Sequence, residues 1–441
     1  MINRLRNRLH RYQRPARYRH LETLLHSQGM CGEALLKKQQ QDLADIVTYA
    51  AANTRYYAEA FRPFLANGRF TITDLPALHK EDVARHLDDL LTQEVSCNVV
   101  KVGHTGGSTG KPLSFYYDDA KHELMRAGMM RSYMLSGWAP GQKILNFWGA
   151  QQDVAPGGVF GAPFYNLTSL LCDFAAAERT IAAHEYTERQ LIDWGRFVQS
   201  YQPVLLQGYA SVLAELARVV IKTRMPMPRT ILGVYTTAEV LNDWQRTLME
   251  SAFGCKVFNQ YGSREIPNIA CECRCGNLHV FTDMVYLESL NLDNEDRLLV
   301  TSLTNRLMPF IRYDIGDSGR LRDGECACGL PFPMMEMTMC RQNDLIRTKT
   351  GKTIHPSYFN RLLYGQTQIS RYQWVQRELD TMALNLVTTE KLGDEMLASL
   401  CEQIRRDIDP DMRLEVNYLN DIPRTTSGKH RFVIGLGQRQ H

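Results

Sequence analysis

The chain has no apolar run approaching the roughly 18–20 consecutive residues that a bilayer span requires. It also has no apolar stretch near its start of the kind a secretory signal carries. These two absences lead us to expect a cytoplasmic protein without a membrane span. An excess of charge is missing too. Lys and Arg number 51 against 48 Asp and Glu, a net charge of +3. That balance gives no electrostatic case for a nucleic-acid partner. No internal repeat or low-complexity tract is visible. The eleven cysteines are odd in number and unevenly spread, which argues against a disulfide framework. What remains is an ordinary globular composition, 44% hydrophobic and 22% charged over 441 residues, enough for two or three domains and a large core.

Charge is nevertheless uneven locally. The first twenty residues hold seven arginines, with Leu5 and Leu9 at i,i+4 spacing. The first reading is a solvated helix packed on the main domain. The alternative is a basic amphipathic helix that touches an acidic partner or a membrane surface.

Residues 1 to about 95 read as mostly helical. Beyond them, short apolar runs alternate with amphipathic segments. Ile144–Phe147, Val204–Leu206, Thr230–Tyr235 and Lys256–Asn259 are strand-like, and Ser211–Lys222 and Val240–Ser251 are helical. This alternation predicts an α/β fold, a large N-terminal domain whose parallel sheets are flanked by helices. Ligands in such sheets sit beyond the carboxyl ends of the strands. Met284–Leu290 and Arg297–Leu303 read as strands around the turn-like Asn291–Asp296. From about Asn343 a small α+β unit is predicted: strands Tyr372–Gln376 and Met382–Val387, helix Glu395–Ile408, then strand Leu414–Tyr418. The expected division is therefore 1–342 and 343–441.

Four polar segments interrupt this pattern. Gly103-His-Thr-Gly-Gly-Ser-Thr-Gly-Lys-Pro112 packs four glycines, three hydroxyls and a lysine into ten residues. Glycines admit positive φ and bring N–H groups close to an anion, and Thr105, Ser108, Thr109 and Lys111 add donors and charge. A polyphosphate suits such a loop. It is not a Walker loop, because Thr105 and Pro112 stand where that pattern needs Gly and Ser or Thr. Asn259-Gln-Tyr-Gly-Ser-Arg-Glu265 follows a strand. Here Tyr261 offers a flat face for a purine, Gly262 permits close approach, and Glu265 is a hard oxygen ligand fit for Mg²⁺. In Met308–Asp317, Asp317 is placed to accept both hydroxyls of a ribose, while Arg312 and Asp314 read as a structural ion pair. Finally, Asp421-Ile-Pro-Arg-Thr-Thr-Ser-Gly-Lys429 sets a lysine on a Gly/Ser/Thr loop able to reach another domain's site; taken without the other segments it reads as an exposed, disordered basic tail.

In this order and at these separations, the four segments resemble the adenylate-forming superfamily of acyl-CoA synthetases, luciferase and adenylation domains. The similar subgroup is the phenylacetate–CoA ligase family and its capsule-biosynthesis relatives. The resemblance runs from about Tyr49 to Phe432, and Gln207–Ser211 and Thr237–Glu239 share it. It implies a two-step reaction. ATP and a carboxylic acid give an acyl-adenylate and pyrophosphate, and a thiol then takes the acyl group. CoA is the first acceptor to consider. Loading of a phosphopantetheinyl carrier protein, or release of the adenylate itself, is the alternative.

By the same resemblance, Thr105, Gly106, Gly107, Ser108, Thr109, Gly110 and Lys111 would hold the β- and γ-phosphates. Thr237, Ala238, Glu239 and Tyr261, with Gly262 and Ser263 beside them, would line the nucleotide. Glu265 would bind Mg²⁺, Asp317 the ribose, and Arg341 ribose or phosphate. Lys429 would lie between the attacking carboxylate and the α-phosphate. The small domain would be mobile, pivoting at Asn343. Arg264 stands where the superfamily usually has a small hydroxyl residue. For the acid, Phe147, Trp148, Tyr165, Tyr209 and Tyr235 near strand ends could line an aryl pocket, with ordinary core packing as the first reading.

Cys273-Arg-Cys275-Gly and Cys326-Ala-Cys328-Gly read as two matching knuckles. Four thiolates suit a tetrahedral structural Zn²⁺. His279 is an alternative fourth ligand to Cys275, supported by the resemblance, and Cys271 is a weaker one. A zinc-braced nucleic-acid-binding protein is the distant alternative for the whole chain.

Overall fold

The computed structural model describes residues 1–65, 71–93, 100–104, 113–148, 167–292, 295–339, 345–354, 356–363, 366, 368–422 and 432–436. Residues 105–111, Tyr165, Arg341, Asn343 and Lys429 lie outside the described residues. The chain divides into two compact units, one of residues 1–105, 113–140 and 258–340, the other of residues 106–112, 141–257 and 341–441. The fold is α/β, as the alternation predicts.

In the second unit, four parallel strands run in the order Gly233–Thr237, Leu205–Tyr209, Ile144–Trp148, Glu178–Ala182. The expected segment Val204–Leu206 thus extends to Tyr209. Gln207 and Gly208 stay in the ladder because both are buried there, and a Cβ on Gly208 would lie 2.7 Å from the Phe147 carbonyl oxygen. Helix Ala210–Lys222 turns Val212, Leu213, Leu216, Val219 and Val220 into the core, as its spacing predicts. Helix Glu188–Tyr201 opens on a capping box between Thr187 and Gln190, and helix Asp243–Phe253 closes on Gly254 at φ +67°.

The same unit carries the α+β portion. Its sheet has the order Arg413–Tyr418, Thr381–Thr388, Ile369–Glu378, Val433–Ile434, with the middle pair antiparallel and both outer strands parallel to their neighbours. Helix Asp394–Asp407 contributes Leu400 and Ile404 to a core built around the fully buried Trp374. The short strand Val433–Ile434 was not foreseen, since two residues carry no periodicity. A small three-stranded sheet pairs Ile346–Arg347 with Thr353–Ile354, and the latter with Glu185–Tyr186.

The first unit begins with helices Ile2–Gln13, Pro15–Gln28 and Gly32–Asn53. Its sheet is antiparallel and includes Ala270–Glu272, Leu278–Val280, Met334–Met339, Tyr313–Arg322, Glu295–Ser302 and Val285–Leu292 in that lateral order. The last two strands run further than expected, Leu292 pairing with Glu295, so the turn taken to be Asn291–Asp296 shortens.

The expected Arg312–Asp314 ion pair does not form. Arg312 lies just before its strand at φ +49°, which sends its guanidinium to Glu288 at 2.9 Å, while Asp314 on the strand meets Arg297 at 2.9 Å. Arg131 of helix Asp119–Met134 and Asp283 form another pair, 2.6 Å apart with side chains 0% and 1% exposed. The Arg131 guanidinium also lies 4.0 Å from the Phe281 ring centroid. Removing one partner of such a pair leaves a bare charge in the interior. Arg131→Ala is therefore expected to lower the unfolding free energy by about 3–5 kcal/mol, read from urea denaturation, and Arg131→Met with Asp283→Leu to recover much of the loss.

Candidate active site

In the second unit, parallel register places the expected residues on one edge. Phe147 pairs with Gly208, and Tyr209 with Thr237, so the three adjacent strands end together at Trp148, Tyr209 and Thr237. This is the carboxyl edge, where open α/β sheets bind ligands. Trp148 and Tyr209 stack with centroids 4.8 Å apart and planes 15° from parallel. Tyr235 and Phe147 are fully buried, and Phe147 packs against Trp194.

Directly after Thr237, Ala238 adopts the left-handed conformation at φ +66°, unusual for a residue with a Cβ. The turn brings Glu239 back to the neighbouring helix, where its carboxylate accepts a 2.8 Å hydrogen bond from the Ser211 backbone N–H. A carboxylate there satisfies a donor that the helix cannot, and it meets the positive end of the helix dipole. The two short segments that share the family resemblance are thus physically joined.

In the first unit, the segment after strand Lys256–Tyr261 folds into a tight loop. A Cβ on Gly262 would lie 2.9 Å from the Asn268 nitrogen, so glycine alone fits without a shift. The Ser263 N–H donates to the Ile266 carbonyl at 2.9 Å, and the Ile266 N–H donates back to Ser263 Oγ at 3.0 Å. The loop closes on Asn268, whose amide donates to the Met125 carbonyl and accepts from Gln260.

This loop positions three candidates. The Tyr261 hydroxyl donates to the Asp317 carboxylate at 3.2 Å, linking the expected purine platform to the expected ribose acceptor. Glu265 is buried, and its carboxylate accepts from the Tyr313 hydroxyl at 3.0 Å. Arg264 donates to the His104 carbonyl at 3.1 Å, the last described residue before the glycine-rich loop. The Arg264 guanidinium therefore contacts the end of strand Lys101–His104.

Lys121 was missed by sequence reasoning. Its ammonium donates to the backbone carbonyl of Glu265 at 2.7 Å and lies 4.9 Å from the Phe115 ring centroid. Desolvation draws its pKa down to about 8, against the opposing pull of Glu265 and Asp118. One lysine on a helix, 144 residues before its partner, leaves no local signal.

The cysteine cluster gathers four candidate ligands. Cys273, His279, Cys326 and Cys328 have donor atoms all within 4.8 Å of one another. Each knuckle is a turn closed by its glycine, with Gly276 N–H on the Cys273 carbonyl at 2.9 Å and Gly329 N–H on the Cys326 carbonyl at 3.0 Å. In the first turn Cys275 is exposed and falls outside this set, while Cys271 is buried in strand Ala270–Glu272. His279 Nδ1 donates to the Phe332 carbonyl at 2.8 Å, leaving Nε2 toward Cys328 Sγ at 3.3 Å. Cys273 and Cys326 sulfurs lie 3.6 Å apart. Ligands about 2.3 Å from a tetrahedral zinc stand about 3.7 Å from one another, so this donor set fits Zn²⁺. Burial pushes the Cys326 thiol pKa up. The Cys328 N–H and the side chains of Asn277, Cys328 and His279 outweigh it and draw the pKa down to about 5.

The chain is similar to known proteins. Residues 346–435 match the CapK C-terminal domain family. Protein CapK of Staphylococcus aureus is 24% identical over 415 residues, covering 91% of this chain and 89% of the relative. Phenylacetate–coenzyme A ligase of Thermus thermophilus is 25% identical over 452 residues, covering 92% and 97%.

Both relatives match the resemblance drawn from the sequence, and each is similar to this chain over nearly all of its length. The chain's fold is shared by 2-hydroxyisobutyryl-CoA ligase, solved with 2-HIB-AMP and CoA in the thioesterification state. That structure has a TM-score of 0.58 at 17% identity and covers 92% of this chain and 91% of its own. The Tyr261–Glu265 loop is held by Lys121 through the Glu265 carbonyl. Lys121→Met, which keeps the apolar stem but strands the Glu265 carbonyl, is expected to cost about 1–3 kcal/mol of stability in urea unfolding, and Lys121→Arg to cost less.

Proposed function

We propose that this protein is an AMP-forming ligase that activates a carboxylic acid with ATP and transfers the acyl group to CoA. The observation that carries the reading is the end-to-end similarity to a phenylacetate–coenzyme A ligase, spanning 92% of this chain and 97% of the relative. The Tyr261–Asp317 hydrogen bond and the buried Glu265 support it. Among the described residues, no helix is long and apolar enough to cross a membrane.

In this mechanism the substrate carboxylate attacks the α-phosphorus of ATP. An oxygen–phosphorus bond forms, and the bond to pyrophosphate breaks. The carboxylate is already a nucleophile and needs no base, so the protein's task is alignment and charge stabilisation. Thr105–Lys111 hold the β- and γ-phosphates, Tyr261 stacks on the purine, Thr237 and Ala238 line the nucleotide, Asp317 accepts the ribose hydroxyls, and Arg341 reaches ribose or phosphate. Glu239 acts by fixing the turn through its hold on Ser211. Glu265 is the residue that would hold Mg²⁺, which supplies charge neutralisation at the phosphates. Lys429 bridges the nucleophile and the α-phosphate. In the second step the CoA thiol sulfur bonds to the acyl carbon, AMP leaves, and the thiol proton is released. Residues 343–441 act as a cap that pivots at Asn343 between the steps. An aryl acid is the substrate class, with Trp148, Tyr209 and Tyr235 shaping its site.

Zn²⁺ held by Cys273, His279, Cys326 and Cys328 is structural, tying the two knuckles together. Purified without chelator, the protein is expected to contain about one zinc per chain. Cys326→Ser is expected to lose that zinc and lower the melting temperature; a metal-free wild type would exclude the assignment.

ATP–pyrophosphate exchange and hydroxamate formation over a panel of acids test the activity. Aryl acids are expected to exceed aliphatic ones, and CoA to convert the adenylate to a thioester. Lys429→Ala is expected to slow exchange on the order of 10²-fold or more. Unchanged exchange in that variant would remove Lys429 from the mechanism.

A further inference from the structure

Helix Ile2–Gln13 is oriented in an unusual way. At 100° per residue, Ile2, Leu5, Leu9 and Tyr12 form one continuous apolar stripe. Packing the stripe inward is the ordinary expectation. Instead, no residue of this helix is buried, and Ile2, Leu5 and Tyr12 are 54%, 51% and 87% exposed. The half-buried positions are Arg6, Asn7, Leu9, His10 and Gln13, so the side turned toward the rest of the unit is largely polar. His10 Nδ1 lies 3.1 Å from the Tyr18 hydroxyl, and Arg11 lies over the Tyr18 ring and pairs with Glu22.

The helix is carried on a firm base. Tyr18, Leu21 and Leu24 of the next helix are buried. Arg17 of that helix forms a nearly buried pair with Glu123 at 2.8 Å, and Arg14 reaches the same carboxylate at 3.4 Å. The presentation of the stripe is therefore built into the fold.

We propose that this helix docks the protein on an anionic lipid surface, lying in the interface with its stripe among the acyl chains. Charge complementarity selects that occupant. Residues 1–20 carry seven arginines and no acidic residue, and Arg4 and Arg8 stand exposed on the flank of the stripe nearest Tyr12. An interfacial helix combines these features: aliphatic and aromatic residues on one side, cationic residues beside them, and a length of about 18 Å for twelve residues. A second copy of this chain would bring arginine against arginine. A nucleic acid has no use for an aliphatic stripe.

Co-sedimentation of the full chain with vesicles tests the proposal. Binding is expected to vesicles containing about one-third phosphatidylglycerol, to weaken with added salt, and to be absent with phosphatidylcholine alone. Leu5→Glu with Tyr12→Glu, and separately Arg4→Glu with Arg8→Glu, are each expected to weaken binding at least about tenfold. All four positions are exposed, so the melting temperature should stay unchanged. Three results would overturn the proposal: no binding to anionic vesicles, equal binding by both variants, or a wild-type dimer in analytical ultracentrifugation that Leu5→Glu dissolves. Because the readout is vesicle binding, its failure is distinct from a failure of the ligase reading.

Discussion

A buried carboxylate governs the arrangement around the Tyr261–Glu265 loop. Burying an ionised group is costly unless its oxygens find donors. Tyr313 from the adjoining sheet supplies one to the Glu265 side chain, and Lys121 occupies the carbonyl of the same residue. Side chain and backbone of one residue are thus pinned by two distant elements. The loop between them has little freedom left, because Gly262 is closed over Asn268 and Ser263 is bonded to Ile266. Tyr261 and Asp317 then meet as a consequence of where the loop begins and where the sheet passes.

The other unit solves its positioning problem with parallel register. Strands locked side by side must end side by side, and the side chains at those ends inherit the alignment. Trp148 on Tyr209 is one result. The hold of Glu239 on the first turn of helix Ala210–Lys222 is another, joining consecutive βα segments by a charge-assisted hydrogen bond instead of by apolar contact.

Much of this was legible in the sequence because local chemistry announced it. Helix Ala210–Lys222 follows from the spacing of its five apolar residues, and the strands of the α/β core from short apolar runs between polar turns. The matching Cys-x-Cys-Gly segments pointed to a shared ligand set, though spacing could not decide between Cys275 and His279. The fold gathers His279, and not Cys275, with the other three donors, through contacts such as that of His279 with Cys328 that spacing does not encode. Lys121 was illegible for a similar reason. Its partner is a backbone carbonyl on a remote loop, and carbonyls have no sequence signature. The Arg312–Asp314 expectation failed on a single dihedral angle, since a left-handed residue directs its side chain where neighbours on a strand do not. For the first helix, amphipathic spacing says that a stripe exists but not which way it faces.

The left-handed Ala238 shows what one methyl group does to the energy landscape of a turn. For an L-residue this conformation lies about 1–2 kcal/mol above its ordinary alternatives, and glycine would carry almost none of that tension. Glycine would also admit many other backbone paths between Thr237 and Glu239. Alanine keeps the number of competing basins small, so that once the surrounding strand and helix have forced the turn, it has one shape. The chain gives up a little resilience there and gains a junction that does not wander.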